Sequence, residues 1–266
     1  MTQPLVSVIM GIYNCEGSLG TAIDSLCNQT YSNWELILCD DCSTDGTYSV
    51  ARQYADKYDN IHLIRNAVNS KLSYSLNQCL KVARGEYVAR MDGDDICLPE
   101  RFEKQVQYLQ EHPDMDVVGS GLIPYDETGE KAERLSPEFP SAKHLVHGVP
   151  FFHPTIMMRK ACYDALDGYL VSKRTQKGQD YDLWFRFFAA GYQGANLQIP
   201  LVKYHESLTD YKHKRSVATS WRTVQTKFIG FRLNHFPIYW YPFVLKPLVS
   251  ALIPKKLMHL YHTRKR

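Results

Sequence analysis

The densest group of potential ligands in this chain is Asp92-Gly93-Asp94-Asp95. Carboxylates two residues apart in a turn reach one hard cation from the same side, and diphosphate oxygens can complete its shell. A calcium loop counted from Asp92 has Glu103 at its twelfth position, but Ile96 and Cys97 stand at the fifth and sixth, where an oxygen ligand and glycine are needed. The plainer reading is a solvated acidic turn that caps the helix after Pro99. Tyr13-Asn14 and Asp40-Asp41 are two further polar clusters. Asp180 opens a helical stretch, where helix capping is the plain alternative to catalysis. His205 follows Leu201-Val202-Lys203-Tyr204 and is a candidate third contact to a metal or diphosphate. Cys39 and Cys42 have the spacing of a redox or zinc pair, but no second pair accompanies them and two carboxylates lie between. They read as small hydrophobes at a strand end.

The elements that must carry these groups alternate strand and helix. Leu5–Met10 reads as a buried strand, and an amphipathic stretch follows around Leu19–Leu26. Glu35–Cys39, Ile61–Ile64, Glu86–Ala89 and Asp116–Gly119 read as further strands. Asp45 offers an N-cap for the helix containing Val50, Ala51 and Tyr54. A helix from about Ser73 is expected to end at Arg84-Gly85, with Gly85 as its C-cap, and Pro99 to open another at its first position. Such units imply right-handed crossovers and a Rossmann-like, mostly parallel α/β sheet with helices on both faces. Ligands then bind beyond the carboxyl ends of the strands. Tyr13-Asn14, Asp40-Asp41 and Asp92–Asp95 each follow a strand directly, so they converge on one edge. Residues 121–170 look irregular, with Pro124, Pro137, Pro140, Pro150 and Pro154, and suit loops and short strands around an acceptor. Asp180–Ala190 returns to helix, with Leu183, Trp184, Phe187 and Phe188 on its apolar side.

The chain has 266 residues with 44% hydrophobic and 22% charged, an ordinary globular composition. Seven cysteines scattered through apolar segments, and an N-terminus without a basic segment before its apolar run, suit a reducing cytoplasm and no signal peptide. The net charge of +3 conceals an asymmetry. All 28 Asp and Glu lie at or before Asp210, whereas the 56 residues after it hold 12 Lys and Arg and no carboxylate. Residues 1–210 therefore read as an acidic catalytic body and 211–266 as a basic, aromatic, helical tail. Pro237, Pro242 and Pro247 interrupt its apolar stretch, so a spanning helix is not expected. Tyr239, Trp240 and Tyr241 with Lys255, Lys256, Arg264, Lys265 and Arg266 suit an anionic membrane interface, the alternative being a packing helix pair with a solvated basic end. No nucleic-acid motif is present.

Four segments in order resemble family-2 glycosyltransferases. They are Val6–Asn14, Leu36–Thr47, Gly85–Phe102 with its Asp92-Gly93-Asp94-Asp95, and Gln179-Asp180-Tyr181-Asp182-Leu183-Trp184-Phe185-Arg186. The resemblance covers about residues 1–190 and implies the GT-A fold, a nucleotide-sugar donor, a Mn or Mg ion and inversion at the anomeric carbon. It places Tyr13, Asn14, Asp41, Arg90 and Asp92 on the donor, Asp94 on the metal, and Asp180 as general base. His153, in Phe151-Phe152-His153-Pro154, matches a position near the acceptor loop. Two departures stand out. Asn69-Ser70-Lys71 replaces the usual Asn-x-Gly, and Gln179 replaces a glutamate beside the base. The implied acceptor is a lipid-linked saccharide in surface-polysaccharide assembly at the inner membrane face. A binding module that has lost catalysis is a rival supported by those departures. A sugar-phosphate nucleotidylyltransferase would need a basic, glycine-rich loop after the first strand, where Gly11-Ile12-Tyr13-Asn14 stands. A nicotinamide oxidoreductase would need G-x-G-x-x-G there.

Overall fold

The computed structural model describes residues 3–206 and 217–252. Its strands are β1 (Val6–Ile12), β2 (Trp34–Asp40), β3 (Ile61–Arg65), β4 (Tyr87–Arg90), β5 (Ile96–Cys97), β6 (Val117–Asp126), β7 (Gly129–Glu130), β8 (Met157–Arg159) and β9 (Gly194–His205). They form one sheet in the order β3-β2-β1-β4-β8-β6-β9-β5, with β7 hairpinned onto β6. Its helices are α1 (Glu16–Cys27), α2 (Thr47–Lys57), α3 (Leu72–Val82), α4 (Arg101–Glu111), α5 (Lys160–Ala165), α6 (Gln179–Ala189), α7 (Val217–Leu233) and α8 (Lys246–Leu252).

The expected α/β architecture is present. β3, β2, β1 and β4 are parallel. Burial on both faces explains why β1 and β2 read as continuous apolar runs. The two-residue period still sorts the side chains. Val6, Val8, Met10, Ile12, Leu36 and Leu38 join the core under α1, α2 and α4. Ile9, Ile37 and Cys39 join the core with Leu76 of α3 and Trp184 of α6. Phe231 of α7 and Val244 lie in that second core as well. The described part of the basic segment is thus packed onto the body, while the expected boundary at 210 lies outside the described residues.

The second half of the sheet is mixed. β8 is antiparallel to both β4 and β6, β9 runs parallel to β6, and β5 is antiparallel to β9. β6 continues ten residues to Asp126, well into the stretch expected to be irregular. With two or three residues each, β5 and β8 carry no readable period.

Three helix boundaries differ from expectation. α2 has Gly46 at its cap, and Asp45 sits one residue earlier, its Oδ1 accepting from the Thr47 N–H at 3.0 Å. α4 begins at Arg101, so Pro99 lies in the turn before it. α3 ends at Val82 with Ala83 extended. Gly85 is no C-cap, because it lies beyond the helix against β1, where a Cβ would meet Leu5 O and Ser7 N, each at 2.6 Å. Arg84 pairs with buried Glu35 at 2.6 Å rather than serving the helix end.

Candidate active site

The acidic turn leaves the carboxyl end of β4 and is pressed against the end of β1. A Cβ at Gly93 would meet Cys15 Sγ at 3.1 Å and Ile12 Cγ2 at 3.3 Å, and Ser18 Oγ donates to Gly93 O at 2.9 Å. A side chain there would need Cys15 or Ile12 to give by a few tenths of an ångström, so the close approach favours glycine. Immediately after the turn, β5 pairs Ile96 with Lys203 and Cys97 with Val202 of β9. That short ladder brings His205 to the turn. Its backbone N–H donates to Asp95 Oδ1 at 3.0 Å, and its Nδ1 lies 3.7 Å from Asp94 Oδ2. Tyr125 OH donates to Asp94 O at 2.8 Å and its ring leans on His205.

Asp92, Asp94 and Asp95 offer oxygens that all lie within 4.8 Å of one another. Asp95 is almost fully buried and its Oδ2 has no hydrogen-bond partner. Burial, then the charges of Asp92 and Asp94, push the Asp95 carboxyl well above the ordinary carboxylate value. Burial and Asp92 likewise raise Asp94. Three crowded carboxylates with one orphaned, buried oxygen fit a divalent cation, and oxygen donors suit Mg or Mn. Asp95 was not singled out from the sequence, though it stands in the same motif.

Arg90 is fully buried at the end of β4, and its guanidinium grips both oxygens of Asp92. It sits behind Asp92 and fixes that carboxylate toward the site. Beneath it, Arg101 is wholly buried and donates to Arg90 O at 2.9 Å and Ile156 O at 3.1 Å. Nothing in the sequence marks Arg101 as buried, although a cation in the first turn of a helix, where the dipole disfavours it, is a signal that it serves another partner.

The first two clusters are tied to one another by side-chain to backbone bonds. Asn14, at φ 49°, accepts from Thr44 N at 2.9 Å, and its own N–H donates to Ser43 Oγ at 3.1 Å. It clamps the β1 and β2 loops together, while Tyr13 beside it stays 47% exposed. Asp41 is buried and accepts from Asn66 Nδ2 at 2.8 Å, Ser70 N at 2.7 Å and Lys71 N at 2.8 Å. Three of its roughly four acceptor positions are therefore taken by the 66–71 loop. Lys71 holds φ 74° and ψ 162°, a region that is essentially glycine's. The departure Asn69-Ser70-Lys71 leaves the glycine-type backbone in place and hangs a lysine on it.

Asp180 is partly buried in the first turn of α6, after Gly178 at φ 90°. One oxygen accepts from the Tyr181 N–H at 2.8 Å, and no other side chain among the described residues bonds to it. Burial raises its carboxyl; Arg90 opposes the rise and Asp92 adds to it. The charges of Arg90 and Asp92 are thus both felt at Asp180, at the head of α6. Asp182 is committed elsewhere, to Arg174 at 2.7 Å and Arg186 at 2.8 Å. His153 lies beneath the site. It is buried, its Nε2 bonds Tyr169 OH at 2.8 Å, and Tyr169 OH bonds Tyr163 OH at 3.1 Å. Burial and the nearby Arg90 drive its imidazole well below the usual value, so it is neutral. Cys39 and Cys42 are free thiols.

A family profile described as Glycosyl transferase family 2 matches residues 7–166, from β1 through the acidic turn to α5. The chain belongs to that family. It is 46% identical over 263 residues to EpsE of Bacillus subtilis strain 168, which is named as a glycosyltransferase, covering 98% of this chain and 94% of EpsE. It is 31% identical to the amylovoran biosynthesis glycosyltransferase AmsE of Erwinia amylovora, covering 86% of this chain and 85% of AmsE. The crystal structure of residues 1–349 of S. aureus TarS in complex with UDP-GlcNAc superposes with a TM-score of 0.70 at 19% identity, covering 93% of this chain and 71% of that one. The fold is GT-A. The profile match ends before α6 and β9, so the placement of Asp180 and His205 rests on this chain's own geometry.

Proposed function

We propose that this glycosyltransferase moves a sugar from a uridine diphosphate donor, with inversion, onto a hydroxyl of a lipid-linked saccharide. The product would extend a surface polysaccharide such as O-antigen or capsule at the inner face of the membrane, where the enzyme is peripheral. The observation that carries the proposal is an acidic turn whose buried Asp95 oxygen has no partner, together with Asp180 at the head of α6, a carboxylate that no side chain among the described residues engages. The UDP-GlcNAc held by TarS and the polysaccharide named for AmsE support the donor and the pathway.

Tyr13 would stack on the base, and the one open acceptor position of Asp41 and the outer face of Asp92 would meet the ribose. Asp94, with Asp92, Asp95 and His205, would hold a Mn or Mg ion. Such an ion, when bound, neutralises the charge that grows on the departing diphosphate. Asp180 takes the proton from the acceptor hydroxyl as its oxygen bonds to the anomeric carbon. The bond to the diphosphate breaks with its electron pair leaving on UDP. A single displacement inverts the configuration. His153, neutral and bonded to Tyr169, packs under α6 against Trp184 and supports the turn that carries the base.

Asp180→Asn keeps the shape and cannot accept the proton. Transfer should fall by ~10²–10⁴, with donor affinity nearly intact by calorimetric titration. A variant retaining a tenth of the parent rate would remove Asp180 from the role of base. Because the raised carboxyl must be ionised to act, kcat/KM of the parent should rise with pH through a limb above the usual carboxylate range. Titration of uridine diphosphate with and without chelator tests the cation, and equal affinity would count against the acidic turn as its holder.

A further inference from the structure

The described C-terminal elements present apolar side chains outward, and no other described element covers them. On α7, Trp221, Phe228, Ile229 and Leu233 are 43–52% exposed, although the opposite side of the helix buries Val224, Lys227 and Phe231. A 3₁₀ helix over Ile238–Leu245 follows. Side chains three apart eclipse in such a helix, so Tyr239, Pro242 and Leu245 form one outward row, with Tyr239 at 71% and Leu245 at 51% exposure. Phe228 of α7 meets Tyr241 edge-on at 5.8 Å, which sets the two exposed faces side by side. Beside them Lys143, His144 and His147 line a 340 Å³ cavity with Trp240 and Phe243, and no carboxylate lines it. Buried Lys227 bridges the two walls, donating to Val146 O at 2.9 Å and Phe243 O at 3.0 Å.

Charge selects the occupant. The described cations beside this face are Lys143, Arg232 and Lys246, all exposed, and no Asp or Glu occurs after Asp210. A protein partner would have to be acidic and apolar at once, whereas an anionic bilayer is both by construction. Among the described residues no helix is long and apolar enough to cross a membrane. Aromatic rows beside basic side chains match the interface instead. We propose that the α7–3₁₀–α8 face docks on an anionic lipid bilayer. The docking stands on this surface alone. Its use, to present a lipid-linked acceptor, rests on the reading of Asp180 as base. Tyr181, next to Asp180, donates to Leu145 O in the segment that leads to the basic cavity, so the docked face and the base share one rigid support.

The test is co-sedimentation of the full chain with vesicles of phosphatidylcholine alone and of equimolar phosphatidylcholine and phosphatidylglycerol. Binding should be confined to the anionic vesicles at low salt. It should weaken severalfold in 1 M salt, where the Debye length falls to about 3 Å from about 10 Å at 0.1 M. The triple variant Trp221→Ser, Tyr239→Ser, Leu245→Ser should lose at least tenfold in binding while keeping its thermal midpoint and its donor hydrolysis in solution. A parent that stays in the supernatant overturns the proposal. So does a variant that binds as well as the parent, or a parent dimer in sedimentation velocity that the same substitutions dissolve. Donor hydrolysis is read in the same samples, so failure of docking is separable from failure of sugar transfer.

Discussion

The β1–β4 half of the sheet and the β5–β9 half hold their active-site residues by different means. In the first, polar side chains are spent on backbone groups of neighbouring loops. Asp41 holds Ser70 and Lys71, Asn14 holds Thr44, and Ser7 ties Glu35 to the Gly85 N–H at 2.7 Å. In the second, rings position α6 and His153, while His205 is held by the β5–β9 ladder and its backbone N–H to Asp95. Phe151 stacks on Trp184 at 4.3 Å, His153 meets Trp184 edge-on at 5.7 Å, and Phe185 meets Phe231 of α7 at 6.1 Å. Hydrogen bonds to backbone fix the loops at the ends of β1 and β2 relative to one another. Aromatic packing fixes a helix as a body, so α6 carries Asp180 as one unit with Phe151 and Phe231.

Arg90 is where the two halves meet, so its loss should have the largest effect. Arg90→Met leaves Asp92 unpaired beside Asp94 and Asp95 and removes the cation that opposes the rise at Asp180. Breaking a buried pair costs about 3–5 kcal/mol, and the 26% exposure of Asp92 places this case at the lower end, about 3 kcal/mol. Denaturant unfolding should show that loss, and transfer should fall further than donor affinity. A stability within about 1 kcal/mol of the parent would mean that the halves are held independently.

The same contrast explains what could be read from the sequence. β1, β2 and β4 are buried on both faces, and their ends carry Tyr13-Asn14, Asp40-Asp41 and Asp92–Asp95, so both the parallel sheet and its ligand edge are legible. The side chains behind that edge are not. Arg101 looks like a surface cation until burial shows it bonded to two carbonyls, and Arg90, expected on the donor, is buried and bonded to Asp92. β5 and β8 are too short to carry a period, so the antiparallel insertion is not legible; His205 is a candidate contact from its place after a strand-like run, but the pairing that carries it to Asp94 is not. Local preference puts Gly85 and Pro99 at helix ends, whereas the approach of β1 decides the residue at 85.

On the aromatic side, Gly230→Val tests whether α7 is part of the body. A Cβ there would fall within the Phe185 ring. Overpacking of this kind costs about 1–3 kcal/mol, read as a lower urea midpoint with an unchanged slope. Donor affinity should not move, because the donor edge lies in the other half. A variant as stable as the parent would show that α7 can leave the core without cost.

The smallest effect has the opposite sign and lies on the donor side. Lys71 adopts φ 74° and ψ 162°, which costs a residue with a Cβ about 1–3 kcal/mol. Lys71→Gly removes that strain but adds about 0.5–1 kcal/mol of unfolded-state entropy. A net gain of about 1 kcal/mol is expected, since the Lys71 N–H to Asp41 bond needs only the backbone. Lys71→Ala serves as the control. It loses the same charge and keeps the Cβ, so it should show no gain. The difference in urea midpoint between the glycine and alanine variants therefore isolates the backbone conformation, and the shared change in uridine diphosphate affinity isolates the lysine charge. Equal stability of the two variants would mean that Lys71 is unstrained. The loop would then be held by Asp41 alone, and the departure from Asn-x-Gly would be a change of charge with no structural cost.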